Sequence, residues 1–142
     1  MLVRRDSNVF SPLGLSRLNV AAIEGSTNMT LAESWLGCHL VPFSGQSDDV
    51  FADMIGALAS GEVDAVVDDE PAFGNLLTDP RYKLAFTVNT ANLWGAAMQT
   101  HQVELKQALD SALNNAIKLG LVSHIWQQHL AGIAYPESCF TN

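Results

Sequence analysis

Two short segments carry residues able to hold a small polar ligand. The first, Glu24-Gly25-Ser26-Thr27-Asn28, follows the apolar run LNVAAI (Leu18 to Ile23) and precedes a stretch with helical character. Gly25, Ser26 and Thr27 thus stand at a strand end and a helix start. Free backbone N–H groups and the positive end of a helix dipole favour a carboxylate there, and the two hydroxyls add hydrogen bonds. The same three residues also read as an ordinary helix N-cap, worth roughly 1 kcal/mol. The second segment, Asp68-Asp69-Glu70, follows the apolar run Val63 to Val67. Three adjacent carboxylates make a local field that favours an ammonium group, whichever acid makes the contact. A charge-assisted bond of that kind is stronger than a neutral one. Asp69 also reads as the N-cap of a helix opened by Pro71. Ser44, Gly45, Gln46 and Ser47, after a third apolar run, are placed to rim a pocket.

Other chemistries fit poorly. Three neighbouring acids point in different directions, and no second cluster completes an oxygen shell for a divalent cation, so no metal is expected. His124 and His129 are five apart, which does not bring two ligands to one helix face, and both read as surface residues. Cys38 and Cys139 form neither a disulfide framework nor a zinc site. No nucleophile elbow, phosphate loop or zinc-protease helix is present, so no catalytic residue and no cofactor is assigned. Asp64 reads as support for the turn beneath its strand. Trp35, Trp94 and Trp126 are spread along the chain and read as core.

The elements that must position these residues follow from pattern. Residues 2–5, Leu18–Ile23, His39–Phe43, Val63–Val67, Tyr82–Val88 and Trp94–Met98 read as strands. Between them, helices are expected from the Gly25–Asn28 turn to Leu36, from Ser47 or Asp48 to Gly61, and over Pro71–Leu77. Two more, Val103–Leu119 and Leu121–Leu130, are separated by Gly120. Alternating strands and helices predict an α/β fold with a mainly parallel sheet of four to five strands. Ligands on such sheets sit at the carboxyl ends of the strands. The expected organisation is one lobe over residues 1–133 and a tail over 134–142.

Charge narrows the partners. The chain has 142 residues, seven Lys or Arg and fifteen Asp or Glu, a net charge of −8. No basic residue lies between Arg17 and Arg81, and eleven of the fifteen acids do. Such a surface repels phosphate backbones, which argues against nucleic acid, and attracts cations or the ammonium end of a zwitterion. Simple solubility explains the same charge. MLVRRDSNVF has no apolar core of a signal peptide, and no apolar run approaches the ~18 residues of a membrane span. The expected location is cytoplasmic, although an exported protein with its leader removed reads the same way.

Three segments, in order, resemble the family-3 solute-binding proteins that take up amino acids. LNVAAIEGST (Leu18 to Thr27) resembles that family's strand and Gly-Ser/Thr-Thr turn. SGEVDAVVDDEPA (Ser60 to Ala72) resembles its G-x-x-D-A-v-x-x-D-x-p segment. WGAAMQTHQVELKQALDSALNNAIKLGLVSHIWQQHL (Trp94 to Leu130) resembles its ending of a strand and two helices. The resemblance implies one lobe of a type II periplasmic-binding-protein fold, with hinge strands and C-terminal helices but without most of the first lobe. It implies that Gly25, Ser26 and Thr27 meet a ligand carboxylate and that Asp69 meets its α-amino group. Asp110 stands where the family usually has Asn, and His129 where it often has Trp. In the family the last helices pack on the first lobe. Here Leu105, Ala108, Leu109, Ala112, Leu113, Ala116 and Ile117 form an apolar stripe extended by Ile125, Trp126 and Leu130. The expected function is an amino-acid or amine binding module, and the expected assembly is a homodimer, with exchange of the C-terminal helices through Ala91–Met98. The alternatives are an interaction module that pairs without a ligand and an effector-sensing subunit of a regulator.

Overall fold

The computed structural model describes residues 1–90 and 94–137. They fall into two compact units, Met1–Val88 and Asn89–Asn142. In the first unit, strands β1 (Leu2–Arg4), β2 (Asn19–Ile23), β3 (His39–Phe43), β4 (Ala65–Val66) and β5 (Tyr82–Leu84) form one sheet. Their spatial order is β3-β2-β4-β1-β5. Helix α1 (Thr27–Glu33) connects β2 to β3, and α2 (Val50–Ser60) connects β3 to β4. These are two crossover units, and they make β3, β2 and β4 parallel, with Ile23 opposite Phe43 and Val20 opposite Ala65.

The strands are apolar almost throughout because both sheet faces are covered. Side chains alternate across the sheet. Val3, Val20, Ala22, Ala65 and Val67 join Met1, Val9, Leu15 and Ala32 on one face, where Met29 and Trp35 pack at the edge. Leu2, Ala21 and Val66 join Met54, Ala57, Leu58, Val63, Phe73 and Tyr82 on the other. The spacing of Met54, Ala57 and Leu58 is that of one helix face, which is why α2 lies along the sheet. Asp49 caps α2 by accepting from the Ala52 amide, in place of the expected Ser47 or Asp48. Gly61, with φ 83°, ends it in the left-handed turn that favours glycine.

Several expectations are corrected. The mainly parallel sheet contains an antiparallel insertion, because β1 runs against both β4 and β5, with Leu2 opposite Val66 and Leu84. The direction of β1 brings its end to the start of β4. There Arg4 donates to the carbonyls of Leu58 and Val63 at 2.9 and 2.7 Å. Helix α1 stops at Glu33, where the Ser34 hydroxyl donates to the Leu31 carbonyl and competes with the helical ladder. The helix expected at Pro71–Leu77 is a 3-10 helix, Glu70–Thr78. Trp94–Met98 forms no strand, and Trp94 is exposed. Apolar and aromatic character fits a strand only where a ladder partner and a covering face exist.

In the second unit, α3 (Val103–Lys118) and α4 (Leu121–His129) are separated by Gly120 at φ 71°. The Trp126 indole donates to the Ile133 carbonyl at 2.9 Å. Tyr135 sets its ring edge-on to Trp126, at 5.8 Å between centroids. His124 and His129 are exposed. Cys139 and the rest of the tail from residue 138 lie outside the described residues, as does 91–93 of the expected exchange segment.

Candidate functional site

Parallel pairing of β3, β2 and β4 places their carboxyl ends along one edge of the sheet. The Val67 amide donates to the Ala21 carbonyl, and the Glu24 amide to the Phe43 carbonyl. The segments that leave this edge are Gly25–Thr27 after β2, Ser44–Ser47 after β3 and Asp68–Glu70 after β4. Gly25 adopts φ 71°, turning the chain from strand to helix. Ser26 is the N-cap of α1, its Oγ accepting from the Met29 amide at 3.0 Å. Its hydroxyl proton stays available to a ligand. Thr27 is exposed, and its hydroxyl has no partner among the described residues. In the β3 segment, Ser44 Oγ accepts from the Gln46 amide at 3.2 Å, and all four residues are exposed.

The three adjacent acids have separate roles. Asp68 Oδ1 accepts from Asn28 Nδ2 at 3.1 Å and from the Asp69 amide at 2.7 Å. Glu70 Oε2 accepts from the Thr87 hydroxyl at 2.8 Å. Asp69 occupies the N-cap position of the 3-10 helix, yet its side chain makes no capping bond. Its carboxylate accepts no hydrogen bond from the described residues. Burial, reinforced by the Asp69 charge, pushes the Asp68 carboxyl above the ordinary carboxylate range. The Asp69 amide, the Met1 amino group and Asn28 partly offset that rise. The Met1 amino group, itself buried, is lowered to about 6 while Glu70 and Asp68 pull it upward.

Gly25, Ser26, Thr27 and Asp69 therefore stand at the same edge, tied together through Asn28 and Asp68. Sequence spacing did not signal this tie, because its two members are 40 residues apart. Asp64 has the supporting role its position implied. It accepts from the Asn19 amide at 2.9 Å and meets Arg4 at 3.3 Å, at the other end of the parallel strands from the three segments above. The described residues contain no group of three His, Cys, Asp or Glu able to hold a metal ion. They also contain no helix long and apolar enough to cross a membrane.

No family model and no curated protein matches the chain. Solved structures do. An amino acid ABC transporter substrate-binding protein from Streptococcus pneumoniae, bound to L-arginine, is similar with a TM-score of 0.75 at 24% identity, over 92% of this chain and 55% of that one. A mutant of ArgBP from T. maritima is similar with a TM-score of 0.73, also at 24% identity, over 92% of this chain and 56% of that one. The isolated domain 2 of TmArgBP, at 26% identity and a TM-score of 0.51, is covered over 92% of its length by 61% of this chain. The chain thus spans a little over half the length of the first two and contains nearly all of the third's fold. It resembles the second lobe and C-terminal helices of the amino-acid solute-binding proteins, a type II periplasmic-binding-protein fold.

Proposed function

We propose that the Met1–Val88 unit forms one wall of a binding site for a small zwitterion, an amino acid or a related amine, and performs no reaction on it. The observation that carries this reading is the Asp69 carboxylate, which accepts no hydrogen bond from the described residues, at the same end of the parallel strands as the Gly25–Thr27 turn. In that turn the Ser26 amide is held by the Ile23 carbonyl, and the Ser26 and Thr27 hydroxyls remain as donors. The Asp68 and Glu70 carboxylates each hold an internal partner, and the Asp69 carboxylate holds none among the described residues. An ammonium group on Asp69 and a carboxylate on the Gly25–Thr27 turn use both features with one ligand. The solved structure bound to L-arginine supports the ligand class. A thermal-shift screen of amino acids and polyamines tests the proposal. Ligands carrying an α-amino group should raise the melting temperature of the wild-type protein, and the rise should shrink in Asp69→Ala. No rise with any amine would refute it.

We further propose that two copies pair through α3 and α4, including by exchange of the second unit between copies. Leu105, Leu109 and Leu113 repeat at helical spacing and are 45%, 44% and 54% exposed, and Ile125 on α4 is 55% exposed. A stripe of this length favours association over contact with water. A two-fold pairing would cover it with an identical stripe.

A further inference from the structure

We propose that Asp68 is a positioning residue of this site, a clasp that holds the Gly25–Thr27 turn and the Asp69 carboxylate at a fixed separation. The inference rests on the ligand site proposed above and adds a residue to it that touches no ligand. A single oxygen, Asp68 Oδ1, takes both bonds. One comes from Asn28 Nδ2 at 3.1 Å, and Asn28 is the second residue of α1, next to Thr27. The other comes from the backbone amide of Asp69 at 2.7 Å. The first bond ties the start of α1 to the end of β4. The second fixes the peptide plane immediately before the Asp69 side chain.

The first turn of the 3-10 helix explains why the Asp69 carboxylate makes no capping bond. A residue at a helix N-cap ordinarily turns its oxygen back onto the first amides of the helix. Asp69 sits at that position without making such a bond. Here the second helical position is Pro71, which has no N–H, and the Ala72 amide already donates to the Asp69 carbonyl at 3.0 Å, so the Asp69 carboxylate is left without a capping partner. Both clasp bonds need an acceptor oxygen at position 68 and neither needs a negative charge. Asparagine supplies the oxygen, and alanine does not.

The test uses the full chain, L-arginine as the probe, and the variants Asp68→Ala, Asp68→Asn and Asn28→Ala. Each is measured well below its own melting temperature. Asp68→Ala and Asn28→Ala should bind L-arginine roughly tenfold more weakly, the worth of about one lost hydrogen bond, and Asp68→Asn should restore wild-type affinity. Equal losses in Asp68→Ala and Asp68→Asn would overturn the clasp in favour of a direct charge contact. Unchanged affinity in Asp68→Ala would overturn it outright. The side-chain amide resonances of Asn28 give a second readout that needs no ligand. They should shift in Asp68→Ala and return in Asp68→Asn, and an unmoved resonance in Asp68→Ala contradicts the clasp. If the wild-type protein binds no L-arginine while these resonances behave as stated, the ligand reading fails for that probe and the clasp stands.

Discussion

At position 69 the chemistry depends on what neighbouring side chains have already claimed. Asp68 and Glu70 each commit one oxygen, to Asn28 with the Asp69 amide and to Thr87, whereas both oxygens of Asp69 lack a partner among the described residues. Asp69→Ala is expected to weaken amine binding at least tenfold, about 1.4 kcal/mol, by calorimetry. Asp68 carries a different signature. Burial raises its pKa, so its protonated form is favoured in the folded state. Its contribution to stability is therefore fully present below the ordinary carboxylate range and is lost as pH rises through the raised folded value. Asp68→Asn lacks this loss. Melting temperatures of variant and wild type measured from about pH 3 to pH 7 should move in the variant's favour as pH rises. A difference that is flat with pH would contradict the assignment. The sequence placed the two candidate segments at strand ends because their residue types and the apolar runs before them are local properties. It did not show which acid is free, since that depends on Asn28 and Thr87, which only the folded chain brings close.

The same divide holds for the elements. β2, β3 and α2 were legible because each buries a face whose period matches its geometry, two for the strands and 3.6 for the helix. β1 was legible as a strand but not in direction, because three residues carry no directional signal and their pairing is set by Arg4 and the start of β4. Trp94–Met98 looked like a strand from composition and failed for want of a ladder. The covered second face of the sheet makes a firm stability prediction. Leu58 and Phe73 are fully buried on it. Leu58→Ala should cost about 2–5 kcal/mol and Phe73→Ala about 3–5 kcal/mol in urea unfolding. A loss under about 1 kcal/mol at either position would show that this face is not packed as described.

For the whole molecule, acidic charge and apolar helices belong to different units. The acids between Arg17 and Arg81 crowd the sheet unit, whereas the helical stripe of exposed Leu105, Leu109 and Leu113 lies on α3 of the second. The first property suits a cationic or zwitterionic ligand, and the second suits a protein partner. Light scattering at micromolar concentration should give the mass of a dimer, and Leu109→Glu should reduce it to that of a monomer. A monomeric wild type, unchanged by Leu109→Glu, would end the pairing proposal without touching the ligand site. Amide shifts report weak, rapidly exchanging binding as well as tight binding, residue by residue. That makes amide shift mapping the most direct measurement of the central claim. On titration with L-arginine, the backbone amides of Gly25, Ser26, Thr27 and Asp69 should move together along one saturating curve. Shifts confined to other residues, or none at millimolar L-arginine, would contradict it.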